Sequence, residues 1–307
     1  MSWAALPGPV RAGIERACGS PVVSARTQKG GFSPGAAVRA LCADGTRVFI
    51  KAVSAEVNAD SHRYHQREAR VLMALDPLIT ARQLPIPRLR DTAVRGSWFA
   101  LVIDDVDGCQ PATPWQPADL DRVLTTLDHL ADALTPALVP VPAITDLYAG
   151  AFTGWRTLAS RPAPSNLDSW TREHLGQLAR LERAWSTYAA GHMLLHTDLR
   201  ADNLLLTHDR VMVVDWPHAC RGAAFVDPIL LAGSIATDGG PPPDQVLAGS
   251  RAGRAADRDA ITAIVCAVAG YFTERSLRPP PPGVPAARAR QAAQGQATRQ
   301  WLAQLLD

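Results

Sequence analysis

The strongest constraint on this chain is the stretch from Leu194 to Trp216, LLHTDLRADNLLLTHDRVMVVDW. Two apolar runs, Leu204 to Leu206 and Val211 to Val214, flank a polar turn of Thr207, His208, Asp209 and Arg210. Short apolar runs on either side of such a turn predict a tight hairpin of two buried strands. Asn203 stands at the mouth of the first strand and Asp215 at the end of the second, so a hairpin returns both side chains to one edge. Asp198 lies on the loop that enters the hairpin and is expected to face the same point.

Oxygen donors from an Asp and an Asn suit a hard cation such as Mg²⁺, which takes few protein ligands and keeps waters and phosphate oxygens for the rest. A carboxylate beside such a metal, here Asp198, can take a proton from an attacking hydroxyl. The run H-x-D-x-x-x-x-N from His196 to Asn203, followed by a strand ending in Asp215, fits a kinase signature. An ordinary polar loop with a hairpin explains one acidic residue easily. It explains four residues at matching spacing poorly.

The 307 residues leave room for two lobes and a substantial core. Hydrophobic residues at 47% and charged residues at 20% are ordinary for a globular protein. The net charge of +2 gives no argument for nucleic acid or a membrane surface as partner. The start, MSWAALPGPVRAG, lacks the basic opening and long apolar run of a signal peptide. The apolar segment Ile261 to Phe272 is too short to span a bilayer and predicts a core helix. Cys18, Cys42, Cys109, Cys220 and Cys266 are scattered and form no C-x-x-C pair. That predicts a reducing, cytoplasmic setting, with neither a zinc site nor a disulfide frame. Lys29 and Lys51 are the only lysines among 31 lysines and arginines. A chain that otherwise writes positive charge as arginine thus keeps its compact ammonium groups for the first sixth of its length.

The first lobe predicts a short helix over 3–18, then strands at 21–26, 36–42 and 47–53, with Ala43 to Thr46 as a hairpin turn. Between the first two strands lies QKGGFSPG, residues 28–35. Its glycines, Gly30 and Gly31, allow backbone N–H groups to approach a phosphate, and Ser33 can donate to one; a plain surface hairpin is about as good a reading. Lys51 sits inside an apolar strand, where a lysine more often points to solvent. Its position after the loop and before the helix at about 61–75 favours a functional role, with Glu68 on that helix as partner. His62 and His65 are three apart with no third ligand in sight, so metal binding there is not expected. Strands at about 88–93 and 98–103 follow, and an acidic link, Asp104 to Gly108, leaves the last. The backbone at Ile103 and Asp104 is the candidate contact for a nucleobase, or simply the joint between lobes.

With these pieces in order, the chain resembles the aminoglycoside phosphotransferase family, a branch of the protein-kinase-like fold. The resemblance runs from Gly30 through Lys51, Glu68, WFALVIDDVDG, HTDLRADN and VVDW to Asp227. It implies an α+β, two-lobed protein-kinase-like fold: a nucleotide-binding lobe over 1–104, with an antiparallel sheet and one main helix, and a mostly helical catalytic and acceptor lobe over 105–307. It implies Asp198 as catalytic base, Asn203 and Asp215 as Mg²⁺ ligands, Lys51 on the α- and β-phosphates of ATP, and Arg200 near the transferring phosphate. His196 and Asp227 are implied as structural braces. Family members usually read H-G-D, and here Thr197 replaces that glycine. Pro217 after Trp216 is a second departure, where a small residue is common.

The second lobe predicts helices at 117–134, 144–158, 167–188, 226–236, 259–276 and 285–306. Residues 238–307 hold eight arginines against six acids, and 117–191 hold six arginines against eight acids. Neither is the strongly acidic wall that a polycationic sugar calls for. The expected acceptor is therefore a less cationic hydroxylated small molecule, in resistance or in metabolism. ATP and GTP both fit, and oligomeric state is open. A non-catalytic nucleotide-binding scaffold is the alternative, though Lys51, Asp198, Asn203 and Asp215 are all intact. A protein kinase is a further alternative, disfavoured because only eleven residues separate Asp215 from Asp227.

Overall fold

The computed structural model describes residues 1–28, 34–162, 167–281 and 286–307. The chain forms two compact units: residues 1–110 with 202–219, and residues 111–201 with 220–307. By packing, the hairpin therefore groups with the N-terminal unit rather than with the lobe expected to start at Asp105.

In the first unit, helix α1 (Gly8–Cys18) precedes strands β1 (Val22–Thr27), β2 (Ala36–Cys42) and β3 (Arg47–Ser54). Helix α2 (Ala59–Arg82) separates these from β4 (Leu89–Arg95) and β5 (Trp98–Asp104). Among the described residues the five strands make one antiparallel sheet in the order β1-β2-β3-β5-β4. Strand alternation decides which side chain faces which helix. Val48, Ile50 and Ala52 of β3 join Leu6, Val10 and Ile14 in a fully apolar cluster on the α1 side. Phe49, Lys51 and Val53 consequently point the other way. Gly35 leads into β2 where a Cβ would run into the carbonyl of Ala52, so the two strands close only over a glycine.

Helix α2 is capped by Asn58, whose side chain accepts from the Ser61 N–H at 2.7 Å. It continues past the end expected near Leu75 and runs through Pro77. Proline removes the bond that would reach the carbonyl four residues earlier, at Met73. Both Met73 and Pro77 are exposed, so water can take that carbonyl, while Leu72, Leu75 and Ile79 keep a continuous buried stripe.

The predicted hairpin forms as β6 (Leu204–Leu206) and β7 (Val211–Val213), with Leu204 opposite Val213 and Leu206 opposite Val211. Thr207 closes the turn: its N–H donates to the Arg210 carbonyl at 2.9 Å, and its hydroxyl accepts from the Arg210 N–H.

The second unit is mostly helical: α3 (Pro117–Ala133), α4 (Ile144–Leu147), α5 (Gly154–Ala159), α6 (Ser169–Leu181), α7 (Trp185–Ala189), α8 (Val226–Thr237), α9 (Pro243–Gly249), α10 (Arg251–Ala255), α11 (Arg258–Ser276) and α12 (Ala287–Leu306). The helix expected over 144–158 is two short helices, because the chain turns at Gly150 to Thr153. The one expected over 167–188 is interrupted by a 3-10 turn at Glu182–Ala184. That turn places Glu182, fully buried, where it accepts the N–H groups of Trp155 and Arg156 at 2.9 and 3.1 Å. Helix α11 is buried nearly all round, as its apolar middle predicts. No described helix is long and apolar enough to cross a membrane. A two-stranded pair, Met193–Leu195 with Cys220–Gly222, also belongs to this unit and carried no clear sequence signal.

Candidate active site

In the first unit the odd-numbered face of β3 aims Lys51 at α2. Its Nζ donates to both carboxylate oxygens of Glu68 at 2.8 Å and to Asp215 Oδ1 at 2.7 Å. Glu68 is 1% exposed, whereas the Asp215 side chain is 35% exposed, so the cluster is closed on one side and open on the other. Burial disfavours the Lys51 ammonium, but the charges of Asp215 and Glu68 outweigh it and hold its pKa above the usual lysine range. Burial pushes Glu68 up to about 6 against the pull of Lys51, which still leaves it a carboxylate at neutral pH.

Asn203 is buried at the mouth of the hairpin, and its carbonyl accepts the Val214 N–H at 3.0 Å. That bond extends the β6–β7 ladder by one step and sets Asn203 and Asp215 at the same open end. Asp215 bends away with φ of 70°, a left-handed conformation that Asp tolerates better than most residues. The donor set suits a hard cation: one carboxylate and one carboxamide, all oxygen. Among the described residues no group of three His, Cys, Asp or Glu gathers. A donor set of one carboxylate and one carboxamide belongs to the regime in which Mg²⁺ would keep waters and phosphate oxygens.

The second unit carries Asp198. The N–H groups of His196 and Thr197 donate to the two oxygens of Asp227, each at 2.8 Å. Asp227 is buried on α8, and burial raises its pKa, opposed by these two bonds. The Asp198 N–H donates to His196 Nδ1 at 3.2 Å. The Asp198 carboxylate stands 3.6 Å from Arg200 Nε and is 37% exposed. His196 and Asp227 thus brace the backbone while the Asp198 side chain reaches solvent.

Part of the Ile103–Asp104 backbone is already engaged within the first unit. The Asp104 N–H is committed to the Arg88 carbonyl at 3.0 Å, and the Asp104 carboxylate pairs with Arg90 at 2.6 Å. Ile103 lies between Phe49 and Leu89 in the middle of the sheet. The physical reason is strand order: β5 has a neighbour on each side, so its end is not an open ladder. The acidic link itself is tied down, since Asp105 accepts from both Arg39 and Arg47. Gly30, Gly31 and Ser33 lie outside the described residues.

The sequence raises His65 only as a metal ligand, and its burial is not foreseen there. It sits one turn before Glu68 on α2, is 7% exposed, and its buried Nδ1 has no hydrogen-bond partner among the described residues. Burial, reinforced by the Lys51 charge, drops the imidazole to about 3. The unfolded imidazole titrates near its usual ~6.5. Because the folded value is depressed, the stabilisation is fully present above about pH 6.5 and is lost as the pH falls toward 3. The predicted loss is on the order of 3–5 kcal/mol across that window. His65→Leu should flatten the acid limb of a stability–pH curve from chemical denaturation. An unchanged slope between pH 6.5 and 4 excludes His65 as its source.

A model of the phosphotransferase enzyme family matches residues 43–263. No curated protein sequence matches the chain. Among solved structures, an aminoglycoside phosphotransferase from Alicyclobacillus acidocaldarius shares the fold at TM-score 0.60 and 16% identity, over 98% of this chain and 95% of that one. A choline/ethanolamine kinase family protein from Mesorhizobium loti matches at TM-score 0.60 and 15% identity, over 92% and 91%. An aminoglycoside phosphotransferase from Streptomyces rimosus, solved with ADP and streptomycin, matches at TM-score 0.52 and 18% identity, over 85% and 97%. The matched family segment takes in Lys51, Glu68, Asp198, Asn203, Asp215 and Asp227.

Proposed function

Because the chain belongs to the phosphotransferase enzyme family, we propose that it moves the terminal phosphate of ATP to a hydroxyl of a small molecule, with Asp198 accepting the hydroxyl proton. The observation that carries the reading is the Lys51–Glu68–Asp215 cluster, a buried ammonium held by two carboxylates in a chain with two lysines. Such an ammonium is oriented before any ligand arrives and suits the α- and β-phosphates. Asn203 and Asp215 are the residues assigned to hold Mg²⁺. When bound, the ion supplies neutralisation of phosphate charge. Asp198 is five positions from Asn203 in the chain and part-exposed, as a base for an incoming hydroxyl must be. Arg200, 3.6 Å from that carboxylate, is assigned to charge that develops on the transferring group. We assign the nucleotide to the unit that carries Lys51 and the acceptor to the helical unit. Five free thiols suit a reducing compartment, and we place the protein in the cytoplasm.

The acceptor we favour is less cationic than a polyamine sugar. Residues 238–307 hold eight arginines against six acids and residues 117–191 six against eight, so neither stretch is the strongly acidic wall that suits a polycation. An ATP-consumption screen over antibiotics and neutral or anionic hydroxylated metabolites tests this, with the Asp198→Ala variant as control. Turnover of a weakly charged acceptor that the control lacks is the expected result, and its class separates resistance from metabolism. Efficient phosphorylation of kanamycin-like polycations at micromolar KM overturns the acceptor assignment. Nucleotide binding without transfer to any acceptor overturns the enzyme assignment.

A further inference from the structure

Thr197 has φ of 62°, in the left-handed region. A β-branched residue is a poor choice there, since its Cβ crowds the following carbonyl, and such a conformation persists only when its surroundings over-determine it. The surroundings of Thr197 do. Its N–H is held by Asp227 from behind. Its Oγ1 accepts the hydroxyl of Tyr148 at 2.9 Å, from a residue 49 positions earlier. Tyr148 is itself anchored: its ring stacks on Phe152 at 4.9 Å, and Phe152 packs edge-on against Trp185 at 4.9 Å and Tyr271 at 6.0 Å. Phe152 and Trp185 are buried. A rigid aromatic group thus delivers one hydroxyl to the residue that precedes Asp198.

We propose that Thr197, pinned through its hydroxyl by Tyr148, is a positioning residue that holds the Asp198 carboxylate in place. This rests on the reading of Asp198 as the proton acceptor. With glycine at 197 the loop would take the same turn without strain but would keep many others. With threonine and its tyrosine the turn is single-valued, and the carboxylate one residue on inherits that order. Burial keeps the Tyr148 phenol protonated, its pKa pushed well above the usual tyrosine range, so the pin is a neutral donor at any working pH. Neither residue needs to touch the acceptor. Their effect is on where the base stands.

The test uses the full-length protein and two readouts. Amide hydrogen exchange at residues 196–198 reports the order of the loop without any acceptor. Phosphate release from Mg·ATP, with water as the acceptor, reports turnover. Tyr148→Phe should speed exchange at these amides by about tenfold and lower turnover by about ten- to a hundredfold, with ATP affinity within about twofold of wild type. Thr197→Val keeps the branched shape and loses the acceptor oxygen, and should do the same. Thr197→Ser keeps the hydroxyl and should restore turnover to within about threefold. The Tyr148→Phe/Thr197→Val double variant should be no worse than either single one, because both remove one bond. Tyr148→Phe with unchanged exchange and turnover overturns the proposal. So does a turnover loss that merely follows thermal stability across the set, or additive losses in the double variant. Wild-type protein that neither binds ATP nor releases phosphate overturns the phosphotransfer reading, and with it the catalytic use of the pin, even where the exchange rates respond.

Discussion

Asp198→Ala is expected to lower phosphate transfer by about two to four decades while ATP still binds. The size follows from the role, since a positioned base contributes to the transfer step and not to the nucleotide's ground-state contacts. The Asp198 side chain is 37% exposed, and its carboxylate stands 3.6 Å from Arg200. The backbone braces come from elsewhere: Asp227 holds the N–H groups of His196 and Thr197, and His196 Nδ1 holds that of Asp198. Removing the carboxylate therefore leaves the loop tied at three points. Single-turnover transfer from labelled ATP, alongside an ATP titration, measures both halves. Near-normal turnover would remove Asp198 from the chemistry, and lost ATP affinity would make it a binding residue instead.

Asp215→Asn should abolish most of the gain in ATP affinity that Mg²⁺ provides, about 10- to 100-fold. Asparagine is the better replacement than alanine, because residue 215 has φ of 70° and Asn tolerates that region. The turn survives, and the lost quantity is charge. In the native cluster one ammonium faces two carboxylates, with Glu68 buried and Asp215 part-exposed. Removing the exposed one leaves Lys51 neutralised by Glu68 alone and the Asn203 carboxamide without its anionic companion. Titrating ATP with and without magnesium separates the outcomes. Equal magnesium enhancement in wild type and variant would show that the cation is held elsewhere.

Much of the first unit's order was written locally. The β3 run Arg47 to Ser54 is largely apolar, the Ala43 to Thr46 turn closes a hairpin, and the β6–β7 hairpin follows from two apolar runs around Thr207 to Arg210. Helix ends were less legible. Helix α2 runs past the end expected near 75 and through Pro77, because its buried stripe continues to Ile79. In the second unit the single helices expected over 144–158 and 167–188 each break. The turn at Glu182–Ala184 exists to bring Glu182 to the N–H groups of Trp155 and Arg156, a partner no local window contains.

The amino-acid order alone singled out the candidate chemistry: Asp198, Asn203 and Asp215 fall within one short stretch of the chain. It also singled out Lys51 and Glu68 as partners, though only as one choice among several for a lysine in a strand. Tertiary structure decided the rest. The α1-side cluster takes Val48, Ile50 and Ala52, and that turns Lys51 toward Glu68 and Asp215. A central position for β5 commits the Asp104 amide inside the unit. Tyr148 reaches Thr197 from 49 residues away. The reason is common to all three. Short-range patterns set which face a side chain can take, whereas the partner waiting on that face comes from a distant segment whose arrival depends on packing the whole unit.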